Sequence, residues 1–102
     1  MSLPRAVLRG KITAAVGTFH ERPIVLTLRI DDGECEVQLT LTNPWPLKSL
    51  EALSANIDQI AVIDQNETGD SLEFGRYKVR LFVDGVLDDS LFCEDYRTTQ
   101  RT

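Results

Sequence analysis

The sequence predicts a mainly β protein: a small antiparallel β-sandwich of five to six strands with one short helix. Apolar and polar residues alternate along most of the chain, which is the pattern of strands with one buried face. Asp-Gly pairs at 32–33 and 84–85 each separate two alternating runs, and this is the strongest local signal for a hairpin. With 102 residues, 42% of them hydrophobic and 26% charged, the chain has the length and composition of a single β-rich domain over 1–102.

The first predicted element is a strand over 6–16. Its even positions are apolar or small and face the core, whereas its odd positions include Arg9, Lys11 and Thr13. Gly10 lies in the middle of this pattern and indicates a bulge or a bend.

The second element is a hairpin with Asp32-Gly33 at the centre of a two-residue type I′ turn. This register pairs Ile30 with Cys35 and brings the inward residues of the two runs opposite one another. It also pairs Arg29 with Glu36 on the outer face. A shift of one residue would turn every apolar side chain to the wrong face, so the parity of the hairpin is strongly specified.

A short helix and a buried strand are expected next. Pro44 and Pro46 end the second strand of the hairpin because proline cannot continue a ladder. A helical apolar stripe follows, and 59–64 reads as a buried strand. The stripe consists of Leu47, Leu50, Leu53 and Ile57.

The second hairpin turns at Asp84-Gly85. A one-residue bulge at Gly85 pairs Val79 with Leu91 and Tyr77 with Cys93, which gives better apolar pairs than a strict two-residue turn. This register leaves Phe82 and Phe92 on the outer face. The polar residues 94–102 are expected to form a frayed tail.

The segment Leu72-Glu73-Phe74-Gly75-Arg76-Tyr77 resembles the start of a late strand in immunoglobulin-like domains. In those domains a tyrosine closes a corner by bonding the backbone upstream. The resemblance covers six residues and implies an immunoglobulin-like sandwich architecture. The paired inter-sheet cysteines and the early tryptophan of antibody domains are missing from this sequence.

Charge and the N-terminal residues indicate a cytoplasmic protein that binds neither nucleic acid nor membrane. The formal net charge of −5 opposes phosphate binding. Residues 1–30 nevertheless carry +4 and residues 31–75 carry −9, so opposite faces could dock on a partner or on a second copy. Neither an apolar run long enough to span a bilayer nor a signal peptide is recognisable. The thiols of Cys35 and Cys93 are therefore expected to be reduced. Both cysteines occupy inward positions of the alternation, which predicts that they are buried.

No catalytic residue, cofactor or metal is expected. The single histidine, His20, has no nucleophile at a recognisable spacing. The weak candidates for a calcium loop occupy its first, third, fifth and seventh positions, but Gly75 stands where the twelfth position requires glutamate. These candidates are Asp64, Asn66, Thr68 and Asp70.

The expected interaction residues are outward apolar side chains, which mark binding surfaces when they form a patch. They are Phe82, Leu87 and Phe92 on the last hairpin and Trp45 between two prolines. The alternative is that the helix over 47–57 covers this face.

The sequence therefore predicts a non-catalytic interaction or structural module. It would self-associate as a homo-oligomer or bind another protein through the last hairpin and a sheet edge. One alternative is a β-domain that binds a small ligand or a metal through its acidic loops or the Trp45 loop. The other is an accessory subunit of an enzyme.

Overall fold

The computed structural model describes residues 4–18, 20–45, 57–68 and 75–101. They form two four-stranded antiparallel sheets packed face to face, which confirms the predicted mainly β sandwich. Their strands are β1 Ala6–Arg9, β2 Lys11–Thr18, β3 Val25–Asp31, β4 Glu36–Thr42, β5 Gln59–Asp64, β6 Tyr77–Val83, β7 Val86–Cys93 and β8 Asp95–Arg101.

Each sheet is a three-stranded meander completed by a strand from the other end of the chain. The A sheet has the order β1-β5-β6-β7, and the B sheet has the order β2-β3-β4-β8. The first strand, β1, therefore pairs with the meander β5–β7, and the last strand, β8, pairs with the meander β2–β4. This order differs from the A-B-E-D and C-F-G sheets of immunoglobulin constant domains, so the resemblance extends to the two-layer architecture and not to the strand order.

The strand count is eight and not five to six, because two predicted features were wrong. The predicted strand over 6–16 is divided at Gly10, where the chain leaves the A sheet and enters the B sheet. Gly10 has a φ of 135°, and a Cβ placed there would lie 2.5 Å from the carbonyl oxygen of Asp31. Only a residue without a side chain fits this crossing without displacing β3.

The predicted frayed tail is also wrong, because residues 95–101 pair with β4 along their whole length. Most of β8 is polar and exposed, so its sequence lacks apolar alternation. Tyr96 is its inward anchor: its ring meets that of Tyr77 edge-on, with centroids 4.9 Å apart. Backbone pairing with a strand that is itself well packed holds β8 in place.

The first hairpin has the predicted inward parity but a register shifted by two residues. Leu28 lies opposite Leu39, and Ile30 lies opposite Val37 and not Cys35. The shift arises because the Asp32 carboxylate accepts backbone hydrogen bonds from Glu34 and Cys35, which closes a longer loop than a two-residue turn.

The arginine of this hairpin therefore has a different neighbour from the predicted one. Arg29 lies opposite Gln38 and reaches Glu36 diagonally, with Nε 3.8 Å from Oε1. A shift of two residues keeps every side chain on its own face, so the core is unaffected.

In the second hairpin the predicted pairs Val79–Leu91 and Tyr77–Cys93 are confirmed. The predicted bulge at Gly85 is wrong. Asp84 and Gly85 form a two-residue turn with φ values of 50° and 79°, and the extra residue is Asp88. The bulge thus lies on the edge strand, where an aspartate can remain in water.

The core lies between the sheets and takes large aliphatic residues from both. The predicted strand over 59–64 is confirmed as β5, with Ile60 and Val62 facing this core. The predicted helix over 47–57 lies outside the described residues except for Ile57, which is fully buried. A single helical turn, α1 Gln65–Thr68, follows β5. In the described part of the chain no helix is long and apolar enough to cross a membrane.

Candidate interaction surface

The outer face of the A sheet carries an apolar pair close to the turn of the β6–β7 hairpin. Phe82 lies directly opposite Leu87, and residues opposite each other in an antiparallel pair share a face. Leu87 is 50% exposed, whereas Phe82 is half-buried. Asp84 and Asp88 are exposed and lie within two residues of this pair along the chain. We call these four residues the tip patch.

Backbone contacts hold the tip patch against the start of β5. The Asp58 amide donates to the carbonyl oxygen of Phe82 at 3.1 Å, and the Asp84 amide donates to Asp58 Oδ2 at 3.2 Å. The Gly10 amide in turn donates to the carbonyl oxygen of Asp58 at 2.9 Å. The turn is therefore connected to the rest of the A sheet and to the crossing at Gly10.

A second apolar pair lies at the other end of the hairpin. Trp45 and Phe92 form an isolated antiparallel bridge, in which each amide donates to the carbonyl oxygen of the other at 2.7 Å. The Trp45 residue is 47% exposed, and Lys78 Nζ lies 5.8 Å from the centroid of the Phe92 ring. Trp45 therefore occupies part of the outer edge of β7.

Phe82 and Phe92 both face outward as predicted, but they belong to separate pairs. Phe92 lies opposite Lys78, which is four residues from Phe82 along β6, or about 13 Å at the usual rise of a strand. Arg80 and Ser90 occupy the face between them. The expected single patch of Phe82, Leu87 and Phe92 is thus divided: Leu87 lies opposite Phe82, and Phe92 is bridged to Trp45.

A groove of about 500 Å³ lies beside Gly10 and has three aspartates on its walls. The carboxylates of Asp31 and Asp32 accept hydrogen bonds from the amides of their own loop, and that of Asp58 accepts the Asp84 amide. The amides of Cys35 and Glu34 lower the pKa of Asp32. The three carboxylates therefore stabilise the loops beside the groove by accepting hydrogen bonds from backbone amides.

Among the calcium candidates, Asp64 is paired with arginine side chains. Asp64 is buried, and its oxygens meet Nε and Nη2 of Arg76 at 3.1 and 2.8 Å, with Arg5 Nη2 at 3.7 Å. The hydrogen bond from Arg76 is the main cause of the lowered pKa of Asp64. Asn66 is exposed, Thr68 ends α1, and Asp70 lies outside the described residues.

Arginine neighbours therefore balance the charge that Asp64 would offer to a cation. Among the described residues no three histidine, cysteine or acidic side chains are grouped to hold a metal ion.

The two thiols are free and lie in different environments. Cys93 is fully buried, and burial raises its pKa to about 12. Cys35 is not in the core as predicted, because the shifted register leaves it in the hairpin loop, half-buried, with Gln100 Nε2 3.4 Å from its Sγ. His20 is exposed in the loop between β2 and β3.

Sequence reasoning missed the acidic rim of the tip patch and the strand β8. The signal for the rim was the acidic pair 88–89 within an otherwise alternating run. Comparison with models of protein families, with curated proteins and with solved structures finds no match for this chain.

Proposed function

We propose that this protein is an interaction module that binds a different protein through the tip patch. The observation that carries the proposal is the exposed Leu87 opposite Phe82, with Asp84 and Asp88 at its side. Apolar side chains in the middle of a charged rim are typical of binding surfaces.

The charge of the rim indicates the chemistry of the partner. Asp84 and Asp88 favour a partner with an apolar pocket surrounded by lysine or arginine, because complementary charges steer encounter and suppress wrong partners. Two copies of this chain would instead bring two acidic rims together, in a protein with a net charge of −5. The tip patch therefore suits a basic partner better than a second copy.

The hydrogen bonds from the start of β5 to the hairpin support the same proposal. A binding surface that is already ordered loses less conformational entropy when it associates. Asp58 contacts the hairpin at the end of β6 and at the first residue of the turn, through the carbonyl oxygen of Phe82 and the amide of Asp84. These hydrogen bonds therefore fix the position of the hairpin that carries the tip patch.

The test is affinity capture from an extract of the source cells, followed by titration with the purified partner. Leu87→Ser removes the exposed apolar side chain, and Val16→Ser is the matched control, since Val16 is 61% exposed on β2 in the other sheet. We expect Leu87→Ser to weaken binding about tenfold or more, the effect of a central contact residue, and Val16→Ser to leave it unchanged.

The charge of the rim is tested with Asp88→Lys in the same titration. We expect weaker binding and a smaller dependence on salt, because steering by the rim is screened by ions. The proposal is wrong if the wild-type protein and Leu87→Ser bind the captured partner with equal affinity. It is also wrong if the partner's affinity rises when Asp88 becomes lysine.

A further inference from the structure

We infer that two copies of this chain associate through the outer edges of their β8 strands, which would join the two B sheets into one eight-stranded sheet. This surface differs from the tip patch and lies in the other sheet. In the described part of the chain, β8 is the last strand of the B sheet, and β4 lies on one side of it. An open edge of this kind is a template for another strand.

The other three edges carry features that oppose strand addition. β1 has only four residues, and the pairing of β2 with β3 is shifted between Ile12 and Ala14. β7 contains the bulge at Asp88 and is bridged by Trp45. Short strands, bulges and covered edges are the usual means of preventing edge-to-edge association.

Among the residues that the structure describes, the β8 edge has none of these features. Its seven residues pair with β4 without a break in register, and they include neither proline nor glycine. Tyrosine and threonine, which favour strands, occupy three of the positions. The edge is therefore long and regular enough to accept a second strand.

The charges of β8 are self-complementary in the two-fold antiparallel register that uses the whole strand. That register is centred on Thr98 and brings Asp95 of each copy opposite Arg101 of the other, while Arg97 meets Thr99. Opposite charges stabilise a directly opposed pair and like charges destabilise it. A two-fold axis repeats each favourable pair, so the register contains two of them.

Moving the centre by one residue in either direction removes this match. A register centred on Arg97 brings Arg97 opposite its own copy and Asp95 opposite Thr99, so the attractive pair is lost. A register centred on Thr99 places Arg97 opposite Arg101, which is a repulsive pair. The occupant of the edge is therefore a second copy in the Thr98-centred register.

The experiment is sedimentation equilibrium of the full chain across a concentration series. We expect the mass to rise from 11.5 kDa toward twice that value. Asp95→Arg places like charges at both ends of the paired strands and should weaken the dimer at least tenfold. Glu36 of β4 lies opposite position 101, so the rescue is measured with Glu36→Gln in every protein compared. In that background the double variant Asp95→Arg with Arg101→Asp reverses both charges and should restore association to within about threefold of the protein without the two changes. Glu21→Arg makes the same charge change at an exposed loop residue and should have no effect.

Three outcomes would overturn the inference: a wild-type mass of 11.5 kDa at every concentration, an Asp95→Arg dimer as strong as the wild type, or a double variant no stronger than Asp95→Arg. Hydrogen exchange of the wild-type protein gives a second test that needs no variant. Amide protection over 96–100 should increase with protein concentration. Protection that is independent of concentration would also contradict the inference.

Discussion

Replacing Gly10 by alanine tests the crossing between the two sheets. Gly10 has a φ of 135°, and its Cβ would lie 2.5 Å from the Asp31 carbonyl oxygen and 2.8 Å from the carbonyl carbon. Ordinary contact begins near 3.4 Å, so the end of β3 must move by roughly 0.9 Å. The neighbouring atoms are backbone, which cannot rotate away as a flexible side chain can.

The matched control is Gly33→Ala. Gly33 has a φ of 98°, but no atom lies within 4 Å of its ideal Cβ. Both substitutions therefore carry the cost of an unfavourable backbone conformation, about 1–3 kcal/mol, and both restrict the unfolded chain equally. Gly10→Ala alone adds the cost of overpacking, again about 1–3 kcal/mol.

The expected result is a difference between the two variants. Gly10→Ala should lower the free energy of unfolding by about 2–6 kcal/mol, a large share of the ~5–15 kcal/mol of a typical domain. Its Tm should fall below that of Gly33→Ala by at least about 4–8 °C. Thermal and urea denaturation followed by circular dichroism measures both quantities. Equal Tm values for the two variants would refute the steric account of the crossing.

Two further predictions concern the titratable groups. Because the pKa of Asp64 is lowered in the folded protein, the unfolded chain binds more protons, and the Tm should fall as the pH drops below about 5. Asp64→Asn should flatten this fall, and an unchanged slope in thermal melts between neutral and acidic pH would contradict the role of the Arg76 pair. In a thiol titration of the native protein at about pH 8, Cys35 should react rapidly and Cys93 only after denaturation, since Cys93 is buried with a pKa of about 12. Two fast thiols in the wild-type protein, or a fast thiol left in Cys35→Ser, would contradict this.

Alternation of period two was sufficient to predict which face of each hairpin strand is buried. Leu28 and Leu39, or Val79 and Leu91, lie inward because any other parity would expose them. The same pattern cannot distinguish registers that differ by two residues. The Asp32 carboxylate decides the register of the first hairpin through hydrogen bonds that no periodicity shows.

The strands at the two ends of the chain were harder to predict, for different reasons. β8 has little apolar alternation, and it is a strand because β4 offers a free edge. The glycine at position 10 indicated a bend, but a bend inside one sheet and a crossing between two sheets have the same local sequence. The identity of the partner strand depends on distant residues.

The alternation of the sequence was sufficient to predict which residues of the candidate site face outward. Phe82 and Phe92 face outward as expected, and Leu87 lies opposite Phe82. Their separation into two pairs depends on the register, and the acidic rim depends on the position of the bulge. Neither of these follows from counting odd and even positions.

The exchange of terminal strands between the two meanders has a consequence for folding. Each meander is built from neighbouring segments, whereas Arg9 pairs with Gln59 and Glu36 pairs with Arg101, across 50 and 65 positions. Local meanders form early, and the long-range closures that complete them are slow. A chain opened between β4 and β5 would yield two fragments, each holding the strand that the other lacks. Such fragments should reassemble when mixed, because β1 of the first fragment completes the A sheet and β8 of the second fragment completes the B sheet.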